Sequence, residues 1–396
     1  MIRPLAAAVL VAVLLPSAAH AVDRPLAVVE LRGTPRERGI QHGRALRELI
    51  ALHIVRWKAS LKSEKTPDPD ALIAQFLKET PHFAETTKAW TPDLLEEVRG
   101  IAEGSGQPPE IVWALQLPDE FWVWMKDREA HHCSGAGASR KGDRPAFVAQ
   151  NMDVEGFRDG TQTLLHIAAD ATTPEQYVFT AAGVVALNGV NARGIGLVVN
   201  TLSQLRASRE GLPVAFIIRG ILAKGRPEDA VAFLKSVPHA SGQNYILGLG
   251  DRVVDYEASA TRVVEAMPGS DVVWHTNHPL ANDDFRPWWT ETLKKRTKEE
   301  LEAGNSPVRL RALAARMKAP QAALAEAKAA LRSKDSDKHP VCRARIDDAR
   351  SFTFGSVVIT LSPSPTIEVA PGIPDETPYR RFELESNAAA AHSQPG

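Results

Sequence analysis

The spacing of apolar side chains changes once along the chain, close to Cys133. After a short strand predicted over residues 26–32, apolar positions recur three and four apart as far as Trp124. This spacing predicts a series of helices, punctuated by prolines and by Gly104. Beyond Cys133, short β-prone runs alternate with turn residues, such as those at 140–143 and 191–194. The sequence therefore predicts a helical segment followed by a strand-rich core.

The strand-rich part also contains helices, and their order indicates the fold class. Strands are predicted at 147–151, 164–169, 177–181, 196–200, 245–250, 253–257 and 261–266. Helices are predicted at 213–222 and 227–236, followed by a helical block over 288–332. An antiparallel pair, 357–361 and 366–370, closes the chain. Strands, then helices, then strands again favour a layered α+β fold over a parallel doubly wound sheet.

The two ends of the chain predict segments outside this fold. Arg3, an apolar run from Leu5 to Leu15 and the small residues Ala19 and Ala21 are typical of a secretory signal peptide over residues 1–21. We therefore expect an exported protein, periplasmic or secreted, with a mature chain beginning near Val22. No later run reaches the roughly 20 apolar residues of a membrane span. Residues 387–396 are expected to form a flexible tail.

Composition and charge narrow the possible partners. The 396 residues carry 47 Lys and Arg against 48 Asp and Glu, with no block of basic residues. We therefore expect a small-molecule partner and no nucleic-acid partner. Two cysteines cannot form a disulfide framework. Neither His131-His132-Cys133 nor the pair His275 and His278 provides a convincing ligand set, so we expect no metal and no cofactor.

Cys133 lies at the change from helical to strand-like spacing and has three interpretations. It is a nucleophile, a disulfide partner of Cys342, or an inert buried thiol. The run Gln150-Asn151-Met152-Asp153 ends the strand that returns from Cys133, and antiparallel pairing would bring Asp153 close to the thiol. Asn277 offers an amide donor suited to an oxyanion hole. Taken singly, the Asn and Asp residues are also typical of turns.

Taken together, these pieces resemble a known family. They are, in chain order, residues 33–43 (GTPRERGIQHG), Cys133, residues 150–153, residues 188–200 and residues 276–279. The sequence resembles the N-terminal-nucleophile amidohydrolases, most closely the penicillin acyltransferase (acyl-CoA:6-aminopenicillanic acid acyltransferase) family. More distant similarity is to the choloylglycine hydrolases and the acid ceramidase-like amidases. The resemblance covers about residues 30–384 and implies a four-layer αββα sandwich.

The resemblance also implies a maturation step and a set of roles. The precursor would cleave itself between His132 and Cys133, leaving a helical chain, 22–132, associated with a catalytic chain, 133–386. The freed α-amino group of Cys133 would be the base for its own thiol, because their ordinary pKa values, about 7.7–8.0 and 8.5, nearly match. Asp153 would orient the α-ammonium or the scissile carbonyl, and Asn277 would donate to the oxyanion. Further site residues implied in this way are Asn200 in support of the oxyanion hole, Arg343 as a late arginine, and Gln150, Asn151 and Met152 at the substrate.

The expected reaction is hydrolysis of a linear amide C–N bond in a small N-acyl substrate, through a thioester on Cys133. Hydrolysis is favoured over acyl transfer because an exported enzyme would meet little acyl-CoA. Two alternatives stay open at this point. One is a true acyl-CoA-dependent N-acyltransferase. The other is a non-catalytic secreted binding protein in which Cys133 and Cys342 form a disulfide.

Overall fold

The computed structural model describes residues 23–126, 132–318, 322–362 and 364–384. The predicted signal peptide and the predicted C-terminal tail lie outside the described residues. Within the described residues, no helix combines the length and the apolar character that a membrane crossing requires.

The N-terminal segment is helical, as predicted, and its first strand joins the core. Of the seven helices described in residues 23–126, five have a proline at their first position, where the missing N–H costs no intrahelical bond. The last part of the predicted helical series, residues 109–125, is two helices, because Pro118 starts a new one. The elements are β1 (Ala27–Leu31), α1 (Pro35–Ala45), α2 (Arg47–Leu61), α3 (Pro69–Glu79), α4 (His82–Trp90), α5 (Pro92–Ser105), α6 (Pro109–Leu115) and α7 (Pro118–Met125).

Two sheets form the centre of the molecule. The first has the order β1-β4-β5-β6-β7-β8-β9-β10, and the second has the order β11-β2-β3-β12-β13-β14. Only the pairing of β1 with β4 is parallel among the strands described. The strands are β2 (Ser134–Ala138), β3 (Phe147–Glu155), β4 (Gln162–Ile167), β5 (Gln176–Ala181), β6 (Asn188–Asn191), β7 (Ile195–Thr201), β8 (Gln243–Leu249), β9 (Arg252–Ala258), β10 (Val263–Glu265), β11 (Val272–His275), β12 (Ser351–Thr360), β13 (Thr366–Ala370) and β14 (Arg380–Glu383).

The two sheets pack face to face and helices cover their outer sides. Strands β2 and β3 of one sheet contact β7 and β8 of the other. Helices α8 (Val214–Leu222) and α9 (Pro227–Ser236) lie in the chain between β7 and β8, and α8 packs on β6 and β7. Helices α12 (Asn305–Met317) and α13 (Leu324–Leu331) pack on β2, β3 and β11. The α+β class and the αββα layering are therefore confirmed. Two short helices, α10 (Pro287–Lys295) and α11 (Lys298–Glu302), precede α12.

The helical segment and the core share one hydrophobic interior. Ile50, Phe76 and Ile101 of the helices belong to the same buried cluster as Phe179 and Leu197 of the eight-stranded sheet. The strand β6 was not predicted, because its sequence, Asn-Gly-Val-Asn, is typical of a turn. Its asparagine side chains are nonetheless fully buried and hydrogen-bonded to neighbouring layers.

Candidate active site

Cys133 lies immediately before β2, at the end of the hairpin that β2 forms with β3. Ser134 pairs with Asn151 in this hairpin, which places Cys133 beside the Met152–Asp153 end of β3. The Cys133 sulfur lies 3.6 Å from Sδ of Met152 and 3.7 Å from the carbonyl oxygen of Asp153. The structure thus brings together the thiol and Asp153, as expected from the antiparallel return.

Both thiols of the chain are free. Cys342 is buried elsewhere, and its Sγ donates to Oδ1 of Asp375 at 3.2 Å. The structure therefore does not join Cys133 to Cys342. Burial and the nearby Asp153 raise the pKa of the Cys133 thiol to about 12, although Arg309 acts in the opposite direction. In the intact chain the thiol is protonated at neutral pH.

Asp153 is almost fully buried on β3, and its nearest described cation is Arg343. The Arg343 Nε lies 4.0 Å from Oδ2 of Asp153. Burial raises the pKa of Asp153 to about 7, while Arg343 and Arg309 favour the charged form. The structure thus places Arg343 next to Asp153, and the carboxyl of Asp153 titrates close to neutrality.

Arg309 on α12 links the nucleophile to the predicted oxyanion donor. Its Nη1 donates to the carbonyl oxygen of Cys133 at 2.5 Å and to Oγ of Ser134 at 2.9 Å. Its Nη2 donates to Oδ1 of Asn277 at 2.9 Å. The sequence interpretation missed this residue. A signal was present, since Arg309 is in phase with Leu313 and Met317 on the buried face of α12, where a charge is unusual.

Asn277 follows β11 and is held at both ends of its amide. Its Nδ2 donates to the carbonyl oxygen of Thr201 at 3.0 Å, while its Oδ1 accepts from Arg309. Among the contacts of the described residues, the Asn277 Nδ2 makes this one donation, so its second N–H has no described acceptor. Ser306 fixes the backbone here, because its Oγ accepts from the Asn277 N–H at 2.7 Å.

A buried carboxylate, Glu257, supports the loop that carries Asn277. It accepts from the backbone N–H groups of Leu280, Ala281 and Asn282 and contacts Nε2 of His275 at 2.8 Å. Desolvation opposes a charge on His275, but Asp255 and Glu257 raise the pKa of its imidazole overall. The sequence interpretation also missed Glu257, because nothing near residue 257 indicates a loop 20 residues further on.

Four further site residues were predicted, and only one of them, Met152, contacts the Cys133 sulfur. The Nδ2 of Asn200 donates to Oδ1 of Asn244 at 2.7 Å and lies beside Gly135, where a Cβ would approach it to 3.1 Å. The Gln150 amide reaches across to the other sheet, binding the Val199 carbonyl and Asn188. The Asn151 amide points to the opposite face and donates to Leu331 and Val341 carbonyls. Of the three predicted substrate residues, Met152 is the one in contact with the Cys133 sulfur.

A cavity of about 670 Å³ lies next to His132 and Asn277. Its lining includes His132 and Asn277, so it borders the predicted cleavage point and the predicted oxyanion donor. Burial lowers the pKa of His278, also in the wall, to about 3, and this imidazole is neutral. The remaining wall is mixed. Its apolar part includes Phe285, Trp289, Leu293, Leu301 and Pro307, and its polar part is Gln204, Arg296, Glu302, Asn305, Ser306 and His339. Among the described residues, no group of three or more His, Cys, Asp or Glu side chains is arranged to hold a metal ion.

Comparisons with known proteins give one family and several structural neighbours. A family model described as acyl-coenzyme A:6-aminopenicillanic acid acyl-transferase matches residues 139–365, more than half of the chain. An N-acylethanolamine-hydrolyzing acid amidase ortholog from Caenorhabditis elegans is similar over 64% of this chain and 100% of that chain, with 14% identity and a TM-score of 0.40. A conjugated bile acid hydrolase from Clostridium perfringens is similar over 64% of this chain and 97% of that chain, with 13% identity and a TM-score of 0.37. Penicillin V acylase from Agrobacterium tumefaciens is similar over 64% of this chain and 86% of that chain, with 13% identity and a TM-score of 0.39.

Proposed function

The chain belongs to the acyl-coenzyme A:6-aminopenicillanic acid acyltransferase family, and on that premise we propose that it is an amide-cleaving enzyme with Cys133 as its nucleophile. The proposed substrate is a small N-acyl amide, and the proposed intermediate is a thioester on Cys133. The observation that carries the proposal is the position of Arg309, which binds both the Cys133 carbonyl and the Asn277 amide. Nucleophile and oxyanion donor are thereby held in one fixed arrangement.

The described neighbours of the thiol include no base that catalysis could use, and self-cleavage would supply one. In the intact chain the pKa of the thiol is raised to about 12, and its described neighbours, the Met152 sulfur and the Asp153 carbonyl, are not proton acceptors of useful strength. Cleavage before Cys133 would create an α-amino group on the same residue, with an ordinary pKa of about 7.7–8.0. That amine would serve as the missing base, and Asp153 beside it would stabilise the ammonium form.

The proposed maturation is an N-to-S shift followed by hydrolysis. The Cys133 sulfur attacks the carbonyl carbon of His132, the C–N bond to Cys133 breaks, and the proton of the thiol passes to the departing nitrogen. Water then cleaves the thioester, which leaves a carboxylate on His132 and a free α-amine on Cys133. The Nδ1 of His132 lies 2.7 Å from the Ser351 hydroxyl of β12, a contact that holds the residue before the cleavage point.

In the mature enzyme the same groups would act on substrate. The α-amine takes the thiol proton, the thiolate attacks the amide carbonyl, and the available N–H of Asn277 donates to the oxyanion. The amine half leaves with the proton, and water releases the acyl group from Cys133. We place an apolar acyl group against the part of the cavity beside Asn277 that Phe285, Trp289 and Leu293 line. We also propose that the protein is exported, periplasmic or secreted, since its first 21 residues have the pattern of a signal peptide.

Acyl transfer is a second candidate, favoured by the description of the matching family. An amine acceptor would then replace water in resolving the thioester. Turnover of an N-acyl amide without acyl-CoA, giving free acid, supports hydrolysis. Product formation that depends on acyl-CoA and an amine supports transfer.

The proposal is tested by intact-mass measurement of the purified protein and of Cys133→Ala, together with an assay on short-chain and long-chain N-acyl amines. We expect the wild type to yield two chains, the second beginning at Cys133, and Cys133→Ala to remain a single inactive chain. Cys133→Ser serves as the intermediate case, because an alcohol is a far weaker nucleophile than a thiol near neutrality. Full amidase activity in Cys133→Ala would overturn the proposed function.

A further inference from the structure

Two acidic residues of the helical segment are buried against the ends of core strands. Asp119 and Glu120 lie in the first turn of α7, and their side chains belong to residues only 9% and 2% exposed. Removing a carboxylate from water costs free energy unless hydrogen bonds compensate for the lost hydration. Both residues are on the N-terminal side of the proposed cleavage point, so their contacts hold one proposed chain to the other.

Asp119 binds a pair of residues that face each other across two strands. Its Oδ2 accepts from Oγ1 of Thr201 at 2.7 Å and from Nε2 of Gln243 at 2.5 Å. Thr201 ends β7 and Gln243 begins β8, and the two residues are directly opposed in the ladder. The carboxylate of Asp119 therefore fixes the terminal residue pair of the β7–β8 ladder, Thr201 and Gln243, at the end of the strands that lies next to Asn277.

Thr201 connects this pair to the active site. Its hydroxyl binds Asp119, and its carbonyl oxygen accepts from Nδ2 of Asn277 at 3.0 Å. The other end of the Asn277 amide accepts from Arg309, which also binds the Cys133 carbonyl. A continuous series of contacts thus runs from the helical segment to the nucleophile.

We propose that Asp119 is a positioning residue that fixes the Asn277 amide through Thr201, so that the helical segment completes the active site after cleavage. This inference rests on the proposed function, in which Asn277 donates to the oxyanion. The carbonyl of Thr201 takes one N–H of Asn277 and so sets the direction of the second. A small displacement of Thr201 would turn that second N–H away from the oxyanion, and a displacement of about 1 Å is enough to lower a rate substantially.

The test is a double-mutant cycle on the mature two-chain enzyme, with the N-acyl amide that the wild type hydrolyses fastest. Asp119→Ala and Thr201→Val are each expected to lower kcat by about tenfold or more, up to the 10²–10³ that follows loss of the oxyanion donor itself. KM should change little, since the interaction matters mainly in the transition state. In the Asn277→Ala background, both substitutions should have almost no further effect on kcat, because they act through the amide that is gone.

Glu120→Gln is the matched control. Glu120 is the next residue along α7 and is also buried, but its Oε1 accepts from Ser241 and from the Val214 N–H rather than from Thr201. Ser241 accepts in turn from Gln243, so this variant disturbs the Gln243 side of the pair and leaves the Thr201 contact in place. This variant should keep the wild-type kcat. Should Asp119→Ala not fold, Thr201→Val carries the test alone, because it keeps the side-chain shape and removes only the hydroxyl contact.

The possible results separate the two proposals. Effects of Asp119→Ala or Thr201→Val that add fully to that of Asn277→Ala would overturn the positioning role, as would a wild-type kcat in Thr201→Val. A wild-type kcat in Asn277→Ala would instead count against the proposed function, whatever Asp119 does.

Discussion

At the scale of single residues, Arg309 determines how the candidate site is arranged. Its guanidinium is fully buried, and its donors are directed at the Cys133 carbonyl, the Ser134 hydroxyl and the side-chain oxygens of Asn277 and Asn305. A planar fork of donors in fixed directions can serve these four acceptors at once, whereas an ammonium offers a single point of charge. Burial lowers the pKa of this arginine to about 10, which still leaves it charged at neutral pH.

Replacement of this arginine by lysine is therefore expected to be damaging although the charge is kept. Arg309→Lys should lower kcat on the order of 10², because the Asn277 amide loses the contact that orients its donor. Self-cleavage should slow as well, measured as the fraction of intact chain over time by mass spectrometry. Arg311→Lys is the control, since Arg311 is exposed two residues further along α12. A wild-type kcat in Arg309→Lys would show that the orientation of Asn277 does not depend on the fork.

At this scale the sequence predicted some residues of the site and missed others. Cys133 and Asp153 could be placed together, because a short hairpin fixes which residues of two strands are neighbours. Arg309 reaches the same point from a helix more than 170 residues away in the chain. Its approach depends on how α12 packs on β2, which no local pattern encodes.

At the scale of elements, the crossing of α1 and α5 explains the glycine-containing motif near the start of the chain. A Cβ at Gly39 would lie 1.9 Å from the Glu97 carbonyl oxygen, and one at Gly100 would lie 2.3 Å from that of Arg36. The two helices therefore meet backbone to backbone. Both helices lie in the segment that the sequence predicts to be helical. The sequence alone did not explain why residues 33–43 contain glycines, because the reason is the contact of α1 with α5.

Gly39→Ala should consequently destabilise the protein, although alanine normally favours a helix over glycine by about 1 kcal/mol. The added methyl group must displace backbone, and overpacking of this kind costs about 1–3 kcal/mol. Because the overlap with the Glu97 carbonyl is severe, we take the upper end of that range and expect a net loss of roughly 2 kcal/mol in the free energy of unfolding, measured by urea denaturation. Gly225→Ala is the control, because a Cβ there meets no atom within 4 Å. Equal stability of the two variants would contradict the close crossing.

At the scale of the whole molecule, the proposed chains are interleaved rather than adjacent. β1 of the helical segment forms an edge of the eight-stranded sheet, and the helices share the buried cluster of that sheet. The αββα order of the layers was implied only by the family resemblance. The layered α+β class followed from the sequence, because strand and helix runs alternate in a way typical of it. The interleaving did not, since it depends on long-range contacts such as the pairing of β1 with β4.

Buried titratable groups of opposite kinds are also distributed over the whole molecule. Burial, the largest cause in each case, raises the pKa of Glu120 to about 8, of Asp153 to about 7 and of Asp255 to about 6. An acid with a raised pKa holds a proton that the unfolded chain has lost, so its contribution to stability falls as the pH rises towards that pKa. Burial lowers the pKa of four histidines to about 3 or 4, namely His42, His53, His239 and His278. These imidazoles stay neutral in the fold while the unfolded chain takes up protons, so they reduce stability as the pH falls below about 6.5.

The two sets of groups predict a maximum of stability near pH 6.5. Above that pH the histidines are neutral in both states, and the melting temperature should fall up to about pH 8, because the fold keeps Glu120 and Asp153 protonated while the unfolded chain has lost those protons. Below it the four histidines outweigh the acids, and the melting temperature should fall again towards pH 4.5. Thermal unfolding of the Cys133→Ala single chain from pH 4.5 to 8.5 measures this profile without interference from cleavage. Glu120→Gln removes the acid with the highest of the three raised pKa values, so it should flatten the alkaline side of the profile and steepen the acid side. A melting temperature that rises steadily up to pH 8.5 would mean that these carboxyl groups are not buried as the structure has them.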